Sequence, residues 1–263
     1  MTPDACDNGT GMTMKEYRKD YFITAGQCDA QQQIPLTVTT RRVIEVATLH
    51  ANALGVGYDR LIKDDAAWVL TRLVIEMASY PGINSDYSLT TWIGGFNRRF
   101  SERDFVFADA VGQPLGYVRS TWMAINIKTR QAASLDGLDA LADNVSDRPC
   151  PIAKATRLPA VTTPDRTSAY RFRYCDIDFN RHVNTVRYIE LLLDQWTMEW
   201  HDRYAIERFE IAFMHETRYD AEVTVAIAAE ESLTFIAEIS TAEACSCRAR
   251  VKFRPRDGKI VAN

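Results

Sequence analysis

Hydrophobic and polar positions in the first half of the chain predict a strand, a long helix and then four strands. Bulky residues from Glu16 to Thr24 predict a short strand, and Pro35 opens a run with helical spacing that ends at Gly55 and Gly57. Stretches rich in β-branched and aromatic residues follow, and turn signals such as Gly94-Gly95 separate them. They predict antiparallel strands at Trp68–Met77, Asp86–Ile93, Phe100–Ala110 and Leu115–Thr129.

The second half repeats this order. Alternation predicts a strand at Tyr170–Tyr174, and helical spacing predicts one long helix over Asn184–Arg203. Four further strands are expected at Phe209–Glu216, Ala221–Ala229, Ser232–Ser240 and Ala244–Arg254. The stretches that begin at Asp86 and Asp220 occupy equivalent positions, so the chain has one architecture used twice.

This repeated order predicts an α+β fold in which each half wraps a curved antiparallel sheet around its long helix. Each half alone would expose a long sheet edge, and pairing with the other half would remove that edge. Residues 132–165 are rich in Asp, Pro and small side chains, which predicts a linker. We therefore expect a first domain at 14–131, a linker at 132–165 and a second domain at 166–256, forming an internal pseudo-dimer.

Composition narrows the class of protein. The chain has 263 residues, of which 46% are hydrophobic and 25% charged, as in soluble globular proteins, and its net charge of −4 argues against extensive nucleic-acid binding. No apolar run approaches the roughly 20 residues that cross a bilayer. Met1 to Thr13 lack the features of a signal peptide and are expected to form a disordered leader. The six scattered cysteines are then expected to be free thiols in the cytoplasm.

A polar cluster lies between the strand and the helix of the second half. It consists of Asp176, Asp178, Asn180, His182 and Asn184, and the helical spacing begins directly after it. The first turn of a helix has unpaired N–H groups and the positive end of a dipole, both suited to polarising a carbonyl. The cluster therefore has the layout of a functional site.

Three structural interpretations compete with that one. Asn180 and Asn184 are ordinary helix-capping residues, although capping explains only part of the cluster. The spacing of Asp176, Asp178 and Asn180 imitates a calcium loop, but Arg181 and Arg187 stand where that loop needs Gly and Glu. Zinc has little support because no second histidine follows His182 four residues later.

The functional interpretation is a site that activates water. A carboxylate beside an imidazole can fix its tautomer and raise its basicity, which suits Asp178 and His182. Helix N–H groups could stabilise an oxyanion. The chain contains no Gly-x-Ser-x-Gly motif, so a serine acyl-enzyme has no sequence support.

At this point the sequence resembles a known family. The segment Asp178-Phe-Asn180-Arg-His182-Val-Asn184 resembles the active-site segment of the acyl-acyl-carrier-protein (acyl-ACP) thioesterases, Asp-x-Asn-x-His-Val-Asn-Asn. Trp68-Val-Leu-Thr-Arg72 resembles a strand of the same family, and further matches extend the resemblance from about Tyr17 to Lys252. The fold that this resemblance implies is the double hot-dog, in agreement with the duplicated pattern.

The resemblance also implies a catalytic set and a reaction. The family's Asp, Asn, His and Glu correspond to Asp178, Asn180, His182 and Glu216, whereas Thr217 stands where the family has Cys. The implied activity is hydrolysis of a fatty acyl-ACP thioester without a cofactor, and the missing Cys favours direct attack by water. Our hypothesis is that Asp178 and His182 deprotonate water, Asn180 and helix N–H groups hold the carbonyl, and Glu216 orients His182.

The first half lacks such a cluster, so we expect one active site per chain. The family comparison suggests that the first half shapes the acyl pocket. Apolar residues of its helix and sheet are candidates for the walls, although each could equally be ordinary core. These candidates are Val43, Val46, Leu73, Ile75 and Trp92.

The implied partner, acyl carrier protein, is strongly acidic, so its docking surface should be positive. Two groups of basic residues are candidates, and a solvated strand face is the alternative explanation for either. The first alternates along the last strand: Arg248, Arg250, Lys252 and Arg254. The second comprises Arg98, Arg99, Arg103, Lys128 and Arg130.

Three other functions share these residues. An acyl-CoA thioesterase would use the same site on an acyl group carried by CoA, and comparing the rates on CoA and carrier-protein thioesters separates the two functions. A hot-dog hydratase would add water to an enoyl thioester and release no thiol. A non-catalytic acyl-thioester sensor would keep the pocket while the polar cluster decayed, yet here the cluster is intact. Preferred chain length and a possible homodimer stay open at this stage.

Overall fold

Two sets of elements in the same order make up the fold. The computed structural model describes residues 15–135 and 138–256, so the predictions for Met1 to Met14 and for Asp136 fall outside the described residues. The first lobe contains β1 (Glu16–Phe22), α1 (Leu36–Ala53), α2 (Tyr58–Leu61), β2 (Ala66–Met77), β3 (Asp86–Phe96), β4 (Ser101–Asp109) and β5 (Pro114–Asn126). A connecting segment with α3 (Asp139–Asp143) follows. The second lobe contains β6 (Arg166–Arg171), α4 (Thr185–Leu193), α5 (Met198–Arg203), β7 (Tyr204–Phe213), β8 (Glu222–Glu231), β9 (Thr234–Ser240) and β10 (Cys245–Pro255).

The strands form one sheet, and its two halves have the same strand order when each is followed outward from the centre. Their order is β1-β3-β4-β5-β2-β7-β10-β9-β8-β6, so each strand of the first lobe has a counterpart at the same distance from the centre. The halves join through antiparallel β2 and β7, in a register running from Arg72 opposite Ala212 to Glu76 opposite Arg208. The predicted duplication and the predicted pairing of the two exposed edges are both confirmed.

The helices α1 and α4 lie against the sheet and share one core. Buried residues of α1 recur at helical spacing, which turns an apolar stripe toward β1, β3 and α4. A single apolar cluster includes Val46 of α1, Ile75 of β2, Ile189 of α4 and Phe209 of β7. Because this cluster crosses the junction between the lobes, apolar burial stabilises the pairing of the lobes as well as each lobe. No described helix combines the length and the apolar character that a membrane span requires.

The segment that connects the lobes packs on the first lobe. Its residues Cys150 and Ile152 are buried against the outer face of the sheet, next to Trp92 and Val106. The guanidinium of Arg119 donates to the carbonyl of Cys150 at 2.7 Å. This part of the predicted linker therefore covers apolar sheet surface that would otherwise face solvent.

The helix predicted over Asn184–Arg203 is wrong as a single element. It is divided into α4 and α5 by a turn at residues 194–197. The hydroxyl of Thr197 accepts a hydrogen bond from the backbone N–H of Trp200 at 3.3 Å, which starts a new helix at Met198. A side chain that offers the backbone such a cap competes with continuation of the first helix.

The break predicted at Gly94-Gly95 is also wrong. Strand β3 continues to Phe96, with a register shift between Ile93 and Gly95 where it pairs with β4. A Cβ atom at Gly94 would lie 2.3 Å from a carboxylate oxygen of Asp104. The glycines therefore permit a close approach within the strand and do not end it.

The shared core predicts that the two lobes unfold together. Phe209 is fully buried at the junction, so Phe209→Ala should lower the free energy of unfolding by about 3–5 kcal/mol. Urea unfolding followed by circular dichroism and by tryptophan fluorescence should give one coincident transition in both proteins. Met198→Ala, at a position that is 58% exposed, is the control and should change the free energy by less than about 0.5 kcal/mol. Two separate transitions, with only one of them shifted by Phe209→Ala, would contradict a common core.

Candidate active site

Asp176 anchors the polar cluster without taking part in the cavity. Its side chain is 3% exposed and accepts hydrogen bonds from the hydroxyl of Tyr170 at 3.0 Å and from the N–H of Arg173 at 2.6 Å. The Nε atom of Arg187 lies 2.6 Å from its other oxygen, and the N–H of Asn184 donates to its carbonyl at 2.8 Å. Asp176 thus ties the end of β6 to the start of α4, which is a structural role.

The loop from Asp178 to His182 is closed by the carboxylate of Asp178. Its Oδ1 atom accepts hydrogen bonds from the N–H groups of Asn180 at 2.8 Å and His182 at 3.2 Å. The N–H of Asp178 donates to the carbonyl of His182 at 2.8 Å, and Arg181 makes the turn with a φ of 65°. Within the described residues no protein group hydrogen-bonds the Oδ2 atom of Asp178, so one carboxylate oxygen stays available to a ligand or to water.

Helix α4 begins directly after this loop. Asn184 is its N-cap, and its side chain accepts a hydrogen bond from the N–H of Val186 at 2.9 Å. The capping interpretation is therefore correct for Asn184. It is wrong for Asn180, which lies four residues before the cap and whose exposed side chain lines a cavity.

A second loop, at residues 214–219, brings Glu216 to His182. Strand β7 ends at Phe213, so Glu216 lies in this loop and not in the predicted strand. The N–H of Val183 donates to the carbonyl of Thr217 at 2.8 Å, which joins the two loops. The Oε2 atom of Glu216 lies 3.3 Å from the Nε2 atom of His182. The structure therefore brings together the acid and the imidazole, although 33 residues separate them in the sequence.

Thr217, which stands where the family has Cys, is buried away from the Glu216–His182 pair. Its side chain is 3% exposed, and its hydroxyl lies 2.7 Å from that of Ser246, within hydrogen-bonding distance. A buried hydroxyl engaged in this way is poorly placed to attack a substrate.

The surroundings of His182 favour its neutral form. Burial lowers the pKa of His182 below its usual 6.5, the nearby Arg130 and Arg218 lower it further, and Asp178 acts in the opposite direction. A neutral imidazole has one N–H and one lone pair. Because Nε2 faces the Glu216 carboxylate, the proton is assigned to Nε2 and the lone pair to Nδ1.

All four predicted site residues line one cavity. The cavity has a volume of about 820 Å³, and both lobes contribute to its walls. Asp178, Asn180 and His182 come from the first of the two loops, and Glu216 comes from the second. Acid, amide and imidazole thus share the space that a substrate would enter.

The first lobe supplies the apolar walls, but through residues other than those predicted. Val43, Val46, Leu73, Ile75 and Trp92 are each at most 1% exposed and belong to the packed core. The cavity instead borders one side of α1, the start of β2 and the end of β5. The lining residues there include Ile44, Ala47, Thr48, Ala51, Trp68, Val69, Leu70, Trp122 and Met123. The small residues at positions 47, 48 and 51 were the available sequence signal, because they leave open space beside the helix.

A buried arginine side chain lies in the wall of the cavity. Arg103, which the sequence placed in the second basic group, is 4% exposed and its guanidinium lies 2.8 Å from the Nδ1 atom of His50. Burial lowers the pKa of Arg103 to about 10, which leaves the side chain charged at neutral pH. Its assignment to a docking surface is therefore wrong.

The other predicted docking residues are largely paired. On β10, Arg248 contacts Glu238, Arg250 contacts Glu230 and Lys252 contacts Glu207. In the second group, Lys128 contacts Asp65 and Arg130 contacts Glu216. Arg130 is thus a residue of the site that sequence reasoning missed.

A different basic surface surrounds the catalytic loops. A second cavity of about 600 Å³ shares Tyr58, Arg130, Asn180 and His182 with the first. Its other lining residues include Arg181, Arg218 and Tyr219, all of them exposed. Throughout residues 15–135 and 138–256, no group of three or more His, Cys, Asp or Glu side chains is arranged to hold a metal ion.

Solved structures support the predicted fold. An acyl-ACP thioesterase from Bacteroides thetaiotaomicron is 31% identical, covers 92% of this chain and all of its own, and superposes with a TM-score of 0.86. A 12:0-ACP thioesterase from Umbellularia californica is 20% identical over 94% of this chain and all of its own, with a TM-score of 0.83. The α+β double hot-dog fold is confirmed.

Similar sequences and family models agree with the resemblance. A dodecanoyl-[acyl-carrier-protein] hydrolase from Cinnamomum camphora is 22% identical over 83% of this chain, and oleoyl-acyl carrier protein thioesterase 1 of Arabidopsis thaliana is 23% identical over 78%. Both are chloroplastic proteins, and the match spans 61% of the length of each. The acyl-ACP thioesterase N-terminal domain matches residues 14–137, and the C-terminal domain of the same family matches residues 161–255. The chain therefore belongs to the acyl-ACP thioesterase family.

Proposed function

We propose that this protein hydrolyses the thioester of a fatty acyl carrier protein to the free fatty acid and the carrier thiol. The observation that carries the proposal is the single cavity that Asp178, Asn180, His182 and Glu216 share with the apolar walls of the first lobe. A thioester of a fatty acid requires both parts, because the acyl chain needs apolar surroundings and the carbonyl needs polar groups beside it.

The reaction starts with a water molecule held between Asp178 Oδ2 and His182. These groups remove its proton as its oxygen attacks the thioester carbonyl carbon. The side-chain amide of Asn180 and the N–H of Thr185, the first residue of α4, stabilise the oxyanion, since the N–H groups of Val186 and Arg187 already bond to Asn184. The tetrahedral intermediate then expels the sulfur by breaking the C–S bond, and the sulfur takes the proton held at the site. Glu216 keeps His182 oriented and neutralises the imidazolium that forms.

Direct attack by water is favoured over a covalent intermediate. Thr217 is buried and bonded to Ser246, so it is not presented to the cavity. The Oδ2 atom of Asp178, by contrast, belongs to a residue that lines the cavity and whose backbone is fixed by the loop.

The apolar walls supply affinity for the acyl chain. Each methylene removed from water contributes about 0.8 kcal/mol, so a chain of several carbons binds through its length. Relatives are named for dodecanoyl, oleoyl and palmitoyl carrier proteins, and the cavity volume is compatible with each of these classes.

We also propose that the carrier docks at the basic rim, defined as Tyr58, Arg181, Arg218 and Tyr219. Arg181 and Arg218 form no ion pair with any described residue, and both are exposed. An acidic protein that carries its acyl group on a phosphate-linked arm complements these charges. This rim replaces the two basic groups suggested by the sequence.

Loss of charge at position 178 should remove turnover and preserve the loop. Asp178→Asn keeps an oxygen that accepts the N–H groups of Asn180 and His182, yet it cannot take a proton. We expect kcat on a dodecanoyl carrier-protein thioester to fall about 10²- to 10⁴-fold with an unchanged circular dichroism spectrum. The release of free acid and thiol by the wild type is measured in parallel, because a hydratase would yield a hydroxyacyl thioester instead. Wild-type rates in Asp178→Asn would refute the role of this carboxylate.

The lowered pKa of His182 predicts where activity falls on the acid side. If neutral His182 takes the proton, kcat/KM decreases as pH falls through the pKa of the free enzyme. Because burial and two arginines lower that pKa, the acid limb should lie below pH 6.5. A pH profile from 4.5 to 9 with the same substrate measures it. An acid limb at or above pH 6.5 would contradict the assignment of His182 as a base.

Charge reversal at the basic rim should weaken recognition of the carrier selectively. Arg181→Glu and Arg218→Glu should each raise KM for a carrier-protein thioester about 10-fold and flatten its dependence on salt. Their effect on KM for a short pantetheine thioester should be less than about 2-fold, since that substrate lacks the acidic protein. Arg157→Glu, an exposed position outside both cavities, is the matched control. Equal losses on both substrates, or a preference for CoA thioesters, would overturn the docking proposal.

A further inference from the structure

The first lobe contributes a charged side chain to the catalytic loops of the second lobe. Arg130 follows β5, and its Nη2 atom forms an ion pair with the Oε1 atom of Glu216. The other oxygen of the same carboxylate, Oε2, lies 3.3 Å from the Nε2 atom of His182. A single carboxylate is therefore held between a guanidinium of one lobe and the imidazole of the other.

A tight turn places Arg130 in this position. The N–H of Arg130 donates to the carbonyl of Asn126 at 2.8 Å, and the side chain of Asn126 accepts the N–H groups of Lys128 and Thr129 at 3.0 and 2.9 Å. Arg130 itself has a φ of 62°, in the left-handed region that disfavours residues other than Gly and Asn. Such a conformation is unfavourable for a residue with a Cβ atom and persists only where its surroundings support it.

Glu216 has few other means of keeping its orientation. Its loop is fixed through its backbone, since the N–H of Met214 donates to the carbonyl of Ser246 at 2.9 Å and Val183 bonds to Thr217. Among the described residues, the Glu216 side chain forms ion pairs only with Arg130 and His182, and it is 41% exposed. Without Arg130, this flexible side chain could leave His182 for solvent.

The ion pair itself contributes little stability. Both side chains are about two-fifths exposed, and solvent screening makes pairs of that kind weak contributors to stability. The effect on chemistry can be much larger, because a displacement of about 1 Å at a catalytic group can lower the rate about 100-fold.

We propose that Arg130 is a positioning residue, supplied by the first lobe, that holds Glu216 against His182 and so makes the hydrolytic site dependent on both lobes. This inference rests on the proposed function. The charged groups around the imidazole are Glu216, Asp178, Arg218 and Arg130. Removing Arg130 therefore removes one of the two cations that act on His182, and it also frees the Glu216 carboxylate.

The test compares Arg130→Gln with Arg130→Lys, using a short pantetheine thioester so that carrier docking does not contribute. We expect Arg130→Gln to lower kcat about 10- to 100-fold with KM within about 2-fold. Arg130→Lys should restore most of kcat, because it returns the charge. Lys128→Gln removes a cation of the same turn that pairs with Asp65 and should leave both parameters unchanged.

Two further measurements distinguish a failure of the proposed function from a failure of the positioning role of Arg130. In a double-mutant cycle, Glu216→Gln should cost much less kcat when Arg130 is already Gln, since the two residues act as a unit. NMR titration of the imidazole of His182 needs no turnover. Glu216→Gln should shift the pKa of His182 in the wild-type background and much less in the Arg130→Gln background, because Glu216 is then no longer held against the ring. If wild type hydrolyses no thioester but this dependence on Arg130 occurs, the proposed function fails and the positioning role stands. A loss confined to KM, or no change in both kcat and the His182 titration, would overturn the role of Arg130.

Discussion

The antiparallel pairing of β2 with β7 is the constraint on which the site depends. It joins only Arg72–Glu76 to the second lobe, although β2 begins at Ala66. The start of β2, which pairs with β5 but not with β7 and includes Trp68 and Leu70, borders the cavity, and the loops that carry Asp178 and Glu216 border the same cavity. The cavity therefore begins where the pairing of β2 with β7 ends.

The two lobes share one scaffold but contribute different features to the cavity. Helix α4 begins after a loop filled with polar side chains, and Asn184 caps it. Helix α1 begins after Pro35 without a side-chain cap, and its Ala47 and Ala51 line the acyl side of the cavity. The second lobe therefore places polar side chains at the start of its helix, whereas the first lobe leaves open space beside its helix. Two copies of one scaffold can differ in this way because each copy keeps its own helix and its own half of the common sheet.

Local patterns in the sequence were sufficient for most elements and for three of the four predicted site residues. The loop from Asp178 to His182 is closed by hydrogen bonds between residues at most four positions apart, so its residues could be recognised together. Glu216 was placed only through a family resemblance, and Arg130 was grouped with surface cations and not with the site, because their contact spans 86 residues. Such contacts depend on how the two lobes pair, and no local pattern records that pairing.

The proposed thioester hydrolysis places opposite requirements on the site, and the position of the site is suited to both. Water must reach the carbonyl, and Glu216 at 41% exposure lies where solvent enters. The acyl chain must avoid water, and the walls from the first lobe provide that environment. In a site this open, exposed charge pairs are weak, so precision has to come from geometry. Here a closed loop fixes Asp178, and contact with a residue from the opposite lobe fixes Glu216. The half-open site can therefore remain ordered without being buried.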